Sequence, residues 1–324
     1  MAMTDQRLRV TRRLPALLDQ QYAVDTVLAP TGAQAALYRV TERATGEQRL
    51  VKVYRGAHEF DEIAHALLSV ASPDHVVRLF DFGVADGHAY EVLEWCEHGS
   101  LADLMASGAS LDVHEVAREL CDALEHVQSL RSPEHPGVEL VHRDIKPSNI
   151  LVRSVEPLDL ALADFGLVRV VSQTVHFTAF RGTHSYAAPE SLTVVTAASD
   201  WWAVGMVMAE IAGGRHPFSN DLGPMSLNEI QFHLAQHRVD LEAVGDERVR
   251  VACRGLLTRN HRRRWGAREL REWLGGAEPM VRDEEPVEIL SGPTVAVGGE
   301  PCRVATAAEL MVSRAVAPVG VLLR

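Results

Sequence analysis

The run Val141-His142-Arg143-Asp144-Ile145-Lys146-Pro147-Ser148-Asn149-Ile150-Leu151 decides how this 324-residue chain is read. It sets a carboxylate, an ammonium and a carboxamide close together between two apolar ends. Fifteen residues beyond Asn149 stands Asp164-Phe165-Gly166, and Ala188-Pro189-Glu190 follows. Three short motifs in this order and at this spacing form a specific signal. Upstream, Leu50-Val51-Lys52-Val53 places a lysine in a β-prone apolar run. Such a lysine is costly unless it is paired, so Lys52 calls for an acidic partner. Lys52 and Lys146 are the only lysines among 32 basic residues. A GC-rich genome, whose codons favour arginine, accounts for the skew but not for where the two survivors lie.

Composition narrows the classes. At 35.6 kDa and 47% hydrophobic residues the chain can fill a sizeable core, which excludes a disordered or fibrous protein. A net charge of -12 argues against a nucleic-acid or anionic-membrane binder. Cys96, Cys121, Cys253 and Cys302 form no C-x-x-C pair, so neither a disulfide framework nor a zinc site is suggested, and reduced cytosol is the expected setting. No run approaches the roughly 18 apolar residues of a membrane span, and the N-terminus lacks the apolar core of a secretory signal.

Periodicity divides the chain. Tyr22 to Leu28, Ala36 to Thr41 and Gln48 to Tyr54 read as strands, the last two separated by a turn at Ala44-Thr45-Gly46. A helix is expected from Glu59 to Val70, then strands at Val76 to Phe82 and Ala89 to Trp95. From Gly99 the pattern turns helical. Val113, Val116, Ala117, Leu120, Leu124 and Val127 repeat at helical spacing, and further helices are expected at Trp201 to Ile211, Leu227 to Leu234, Val249 to Leu257 and Ala267 to Leu274. The fold class is α+β, with a small β lobe carrying one main helix and a larger α-helical lobe. Residues 1–20 read as an N-terminal extension and 21–276 as the main domain, split into lobes 21–95 and 96–276. Residues 277–293 read as a linker, and 294–324 as a hairpin-and-helix piece, too small to hold a core alone, that docks or begins a further domain.

The chain resembles the eukaryotic-like (Hanks-type) serine/threonine protein kinases from about Tyr22 to Gly275. His142-Arg143-Asp144, Lys146 and Asn149 match the H-R-D-x-K-x-x-N catalytic loop, followed by D-F-G and A-P-E. The resemblance implies a two-lobed fold and transfer of the γ-phosphoryl group of ATP, with Mg²⁺ or Mn²⁺, to Ser/Thr hydroxyls of a protein substrate. Asp144 would orient the substrate hydroxyl and take its proton. Lys146 would sit against the γ-phosphoryl group, and Asn149 and Asp164 would hold the metal through hard oxygen ligands. Thr183 resembles the threonine that contacts the catalytic Asp and Lys. Asp200 resembles the helix residue that holds the catalytic-loop backbone, and Arg264 the arginine that pairs with Glu190.

By the same resemblance Lys52 grips the α- and β-phosphates, paired with a glutamate on the next helix, Glu62 first and Glu59 second. Leu93-Glu94-Trp95-Cys96 resembles the hinge, with Leu93 as gatekeeper and the backbones of Glu94 and Cys96 at the adenine edge. Leu37 and Leu50 would line the nucleotide site. The glycine-rich loop departs from the family: its three glycine positions fall on Pro30, Gly32 and Ala35, so one glycine remains and the loop should be stiffer. Arg143 implies regulation by phosphate in the activation segment, with Ser172, Thr174 and Thr178 as acceptors. Autophosphorylation in trans would go through a homodimer. Against this reading stands a pseudokinase that binds nucleotide without turnover. A small-molecule kinase of the same fold is opposed by A-P-E and by Thr183. The arginine skew points to a bacterial source, and the scattered cysteines to a cytoplasmic location.

Overall fold

In a computed structural model, the described residues are 14–28, 35–55, 62–69, 71, 74–130, 138–165, 169–172, 184–192, 196–220, 223–224, 239–282, 295–297 and 300–302. They divide by contacts into a unit spanning Met1–Asp283 and a tail unit, Glu284–Arg324.

Alternation builds the small lobe. Strands β1 (Tyr22–Leu28), β2 (Ala35–Glu42), β3 (Gln48–Tyr54), β4 (Leu79–Ala85) and β5 (His88–Glu94) form one antiparallel sheet in the order β1-β2-β3-β5-β4. Ala36, Tyr38, Val40, Val51, Val53, Tyr90 and Val92 point into one core, as period-two residues on paired strands must. The helix α1 (Ala16–Gln21) closes that core with Leu14 and Leu18, and Asp86 accepts a hydrogen bond from the Ala16 N–H at 2.7 Å. Part of the expected extension therefore belongs to the small lobe. The helix α2 (Glu62–Ser69) lies within the expected helical stretch. The strand expected at Val76 to Phe82 instead begins at Leu79. Val76 makes an isolated bridge to Leu162 of the other lobe, and the Val77 N–H bonds the Leu162 carbonyl at 2.9 Å, which holds this segment off the β5 ladder.

The larger lobe is built on α3 (Leu101–Ala106), α4 (Val113–Ser129) and α5 (Ala198–Gly213), with further helices at Glu247–Leu256 and Ala267–Leu274. Ser100 and Asp103 form a capping box on α3, and Asp112 caps α4 by accepting from the His114 N–H. The eleven residues from Ser199 to Ala209 are buried along α5, because this helix is apolar around nearly its whole circumference and runs through the core. Strands β6 (Val138–Val141) and β9 (Arg169–Ser172) pair, as do β7 (Ile150–Val155) and β8 (Leu158–Leu162), and the two motif loops run between these strand pairs.

The helix expected at Leu227 to Leu234 lies outside the described residues. Residues 277–282, the start of the expected linker, are held to the lobe where the Trp265 indole donates to the Met280 carbonyl at 3.0 Å. In the tail unit Val295–Val297 pairs antiparallel with Glu300–Cys302. The helix expected in the same 294–324 piece lies outside the described residues. Among the described residues no helix is long and apolar enough to cross a membrane.

Candidate active site

Sheet register assembles the upper wall. Leu37 stands opposite Lys52, Lys52 opposite Glu91, and Leu50 opposite Leu93. All five therefore share one face, opposite the face that Val51, Val53 and Val92 give to the core. Leu37, Leu50 and Leu93 are half-buried there. Gly32 lies outside the described residues.

At the hinge, the Glu94 N–H donates to the Arg78 carbonyl at 2.9 Å. Its carboxylate takes a two-pronged contact from Arg153 of β7, Nε and one Nη at 2.8 Å each. Arg153 also donates to the Asp74 and Val76 carbonyls, so one guanidinium ties the hinge to the larger lobe. Burial pushes the Cys96 thiol up to about 12, so it is an inert hinge residue.

The lower wall is the catalytic-loop segment. Two buried oxygens of Asp200 accept from the backbone N–H of His142 at 2.8 Å and Arg143 at 2.9 Å, and so fix a loop in which Arg143 adopts a φ of 70°. Desolvation nonetheless raises the Asp200 carboxyl pKa, against the pull of His142 and the two N–H groups. The Asp144 N–H donates to His142 Nδ1 at 3.3 Å. The His142 proton therefore sits on Nε2, which bonds the Ala163 carbonyl at 3.0 Å and so links this loop to the residue before Asp164. His142 packs on Phe165 with ring centroids 4.6 Å apart, a packing role rather than a base. Lys146 Nζ and Asn149 Nδ2 each donate to Asp144 Oδ2 at 2.9 Å, and Asn149 also bonds the Asp144 carbonyl at 2.8 Å.

The walls meet where Lys52 Nζ contacts Asp164 Oδ1 at 2.5 Å. Burial would lift the Asp164 carboxyl, but the Lys52 charge overrides it and holds it below the ordinary aspartate value. Burial likewise opposes the Lys52 ammonium, and Asp164 and then Glu91 overcome it and raise its pKa. Asp164 keeps 42% of its side chain exposed against 12% for Lys52. An ionised, open carboxylate beside a carboxamide and two ammonium groups suits a divalent cation carrying phosphate oxygens.

Below the site, Arg264 meets Glu190 through two bonds at 2.5 and 2.9 Å over the ring of Trp202, so the expected pairing of these residues is present. Of the residues expected at the site, Lys52, Asp144, Lys146, Asn149 and Asp164 converge. Glu62 opens α2, but its side chain lies outside the described residues, as do Glu59, Thr183, Thr174 and Thr178. Ser172 ends β9, and its side chain is likewise outside them.

Sequence reasoning missed two residues, Glu91 and Arg153. Glu91 is 4% exposed and accepts from the Tyr54 hydroxyl at 2.7 Å, with His65 Nε2 at 2.9 Å on its other oxygen. A carboxylate inside the apolar run Ala89 to Trp95 carries the same signal that singled out Lys52. Arg153 gave no such signal, since its partners are distant in sequence.

A β lobe over a helical lobe, with two lysine–aspartate contacts at their junction, is the architecture of protein kinases. The family model described as "Protein kinase domain" matches residues 30–273, and the chain belongs to that family. It is 31% identical over 211 residues to "Probable serine/threonine-protein kinase pknA2" of Bifidobacterium longum, covering 60% of this chain and 27% of that protein. It is 30% identical over 217 residues to "Serine/threonine-protein kinase PknL" of Mycobacterium tuberculosis, covering 64% and 52%. Rabbit (Oryctolagus cuniculus) "Serine/threonine-protein kinase 17A" is 26% identical over 274 residues, covering 79% and 68%. The chain thus spans about a quarter to a half of the two bacterial relatives.

Proposed function

We propose that this chain transfers the γ-phosphoryl group of ATP to serine or threonine hydroxyls of protein substrates, including its own activation segment. The observation that carries the reading is the convergence of Lys52–Asp164 with Lys146–Asp144–Asn149 at the lobe junction. Phosphoryl transfer needs positioning and charge neutralisation more than covalent help, and these groups supply both. Asn149 and Asp164 would hold Mg²⁺ or Mn²⁺, which when bound neutralises charge on the phosphate oxygens.

Lys52 steadies the α- and β-phosphates and Lys146 the γ-phosphoryl group. Asp144, oriented by Lys146 and Asn149, takes the proton of the acceptor hydroxyl as the new O–P bond forms, the bond to the β-phosphate breaks and ADP leaves. Thr183 would brace Asp144 and Lys146. Leu37, Leu50 and Leu93 would enclose the adenine beside the Glu94 carbonyl and the Cys96 N–H, and Gly32 would approach the phosphates. Phosphate on Ser172, Thr174 or Thr178 would pair with Arg143, placed there in trans by a second copy. A protein substrate in the cytoplasm completes the reading.

The test is transfer of labelled phosphate to the chain itself and to a generic protein substrate. Asp144→Asn and Lys52→Met should each lower transfer about 100-fold or more at unchanged thermal stability. Full transfer in both variants, or Mg-ATP binding with no transfer by the unchanged chain, overturns the proposal. Mass spectrometry of the same reaction locates the modified residues.

A further inference from the structure

Glu91 is a buried carboxylate that the chemistry above does not use. It stands directly opposite Lys52 on the neighbouring strand, and such partners have Cβ atoms about 4.5–5.5 Å apart. Tyr54 lies two residues beyond Lys52 on the same face. The Lys52 ammonium sits 5.0 Å from the centre of the Tyr54 ring, and the hydroxyl of that ring donates to Glu91. The second Glu91 oxygen meets His65 of α2, whose ring packs on Phe82 with centroids 4.9 Å apart. Lysine, tyrosine, glutamate and histidine from two strands and a helix thus form one connected buried group.

We infer that Glu91 is the carboxylate that positions Lys52 for the nucleotide phosphates, and that His65 makes α2 part of the same unit. The inference rests on the proposed nucleotide chemistry. Among the described residues Lys52 has two acidic neighbours of consequence, Asp164 at 2.5 Å and Glu91, with Asp144 adding a weaker field. Asp164 cannot be both the ligand of an incoming cation and the sole counter-charge of Lys52. Glu91 faces away from solvent, between a tyrosine and a histidine, and keeps its place when Asp164 turns to other work. Its carboxyl lies below the ordinary glutamate range: burial alone would raise it, but the His65 hydrogen bond and the Lys52 charge prevail, so Glu91 is an anion where Lys52 needs one. The side chains of Glu62 and Glu59, the glutamates expected to pair with Lys52, lie outside the described residues; among those described the strand supplies a carboxylate, and the helix reaches it through a histidine.

A double-mutant cycle on the full chain tests this, with Mg-ATP affinity measured by calorimetry. Glu91→Gln is nearly isosteric, and its amide can still accept from Tyr54 and donate to a neutral His65. The variant should therefore fold, which its unfolding temperature checks. In the wild-type background it should weaken Mg-ATP binding about tenfold, and in the Lys52→Met background by less than about twofold, because a residue that acts through Lys52 has nothing left to act on. An equal loss in both backgrounds means a merely structural role and overturns the inference. So does an unchanged affinity, or a Glu62→Gln variant coupled more strongly to Lys52 than Glu91→Gln is. Should Glu91→Gln fold poorly, Tyr54→Phe measured in the same cycle takes its place with the same criteria. Binding by the unchanged chain without transfer overturns the kinase reading and leaves this coupling standing, so the two failures are distinct.

Discussion

Arg143 and Asp164 adopt left-handed backbone conformations, φ 70° and 60°, that non-glycine residues avoid at a cost of about 1–3 kcal/mol each. At Arg143 the strain is held by Asp200, whose side chain is the acceptor for two buried N–H groups. Asp200→Ala should leave both without their partner and destabilise the chain by about 3 kcal/mol, read as a lower urea midpoint, with loss of any phosphotransfer. Asp200→Asn, which keeps one acceptor oxygen, should cost less. An unchanged midpoint in Asp200→Ala would show that the clamp does not carry the strain. At this scale the motif residues were legible in the sequence because each has a fixed chemical type. Glu91 was not: a single acidic letter in an apolar strand declares that it needs partners, but says nothing of which helix and which strand provide them.

Elements with several turns or a full alternation were read correctly. β1 and β3 run over the expected residues, and Ala267–Leu274 is the expected helix. α1 and α3 span six residues each, too few for a 3.6-residue period to stand out, and so went unread. α1 matters nonetheless, because Leu18 is fully buried in the small-lobe core. Leu18→Ala should cost about 2–5 kcal/mol and lower the unfolding temperature. Loss at the exposed Leu17, by contrast, should fall within about 0.5 kcal/mol. Thermal melts followed by circular dichroism separate the two. The displaced start of β4 has a different cause: Val76 and Val77 are apolar enough for a strand, but a backbone contact to the other lobe claims them.

For the whole molecule, one histidine sets a pH dependence. His216 packs between Tyr186 and Phe218, and its Nδ1 accepts the Phe218 N–H at 3.0 Å. Burial depresses its pKa from 6.5 to about 4, against the opposing pull of the Ser185 backbone. Between those values the unfolded chain holds the proton and the folded chain does not. Stability from this site is therefore complete above pH 6.5 and is lost as the pH falls toward 4. Urea unfolding across that range should show a difference curve between wild type and His216→Phe that declines with acidity. A flat difference would mean that the ring titrates alike in both states.

What the sequence determined by itself was the family, the two-lobed order of elements and the place of both lysines in the motifs that converge at the site. Reaction chemistry restricts residue type at fixed spacing, and a planar guanidinium does not replace a compact ammonium. Tertiary structure alone decided what surrounds those groups: Glu91 across the sheet from Lys52, and Arg153 at the hinge. Each is a long-range pairing of buried polar atoms. Such pairings depend on register and lobe packing, which one-dimensional spacing does not encode.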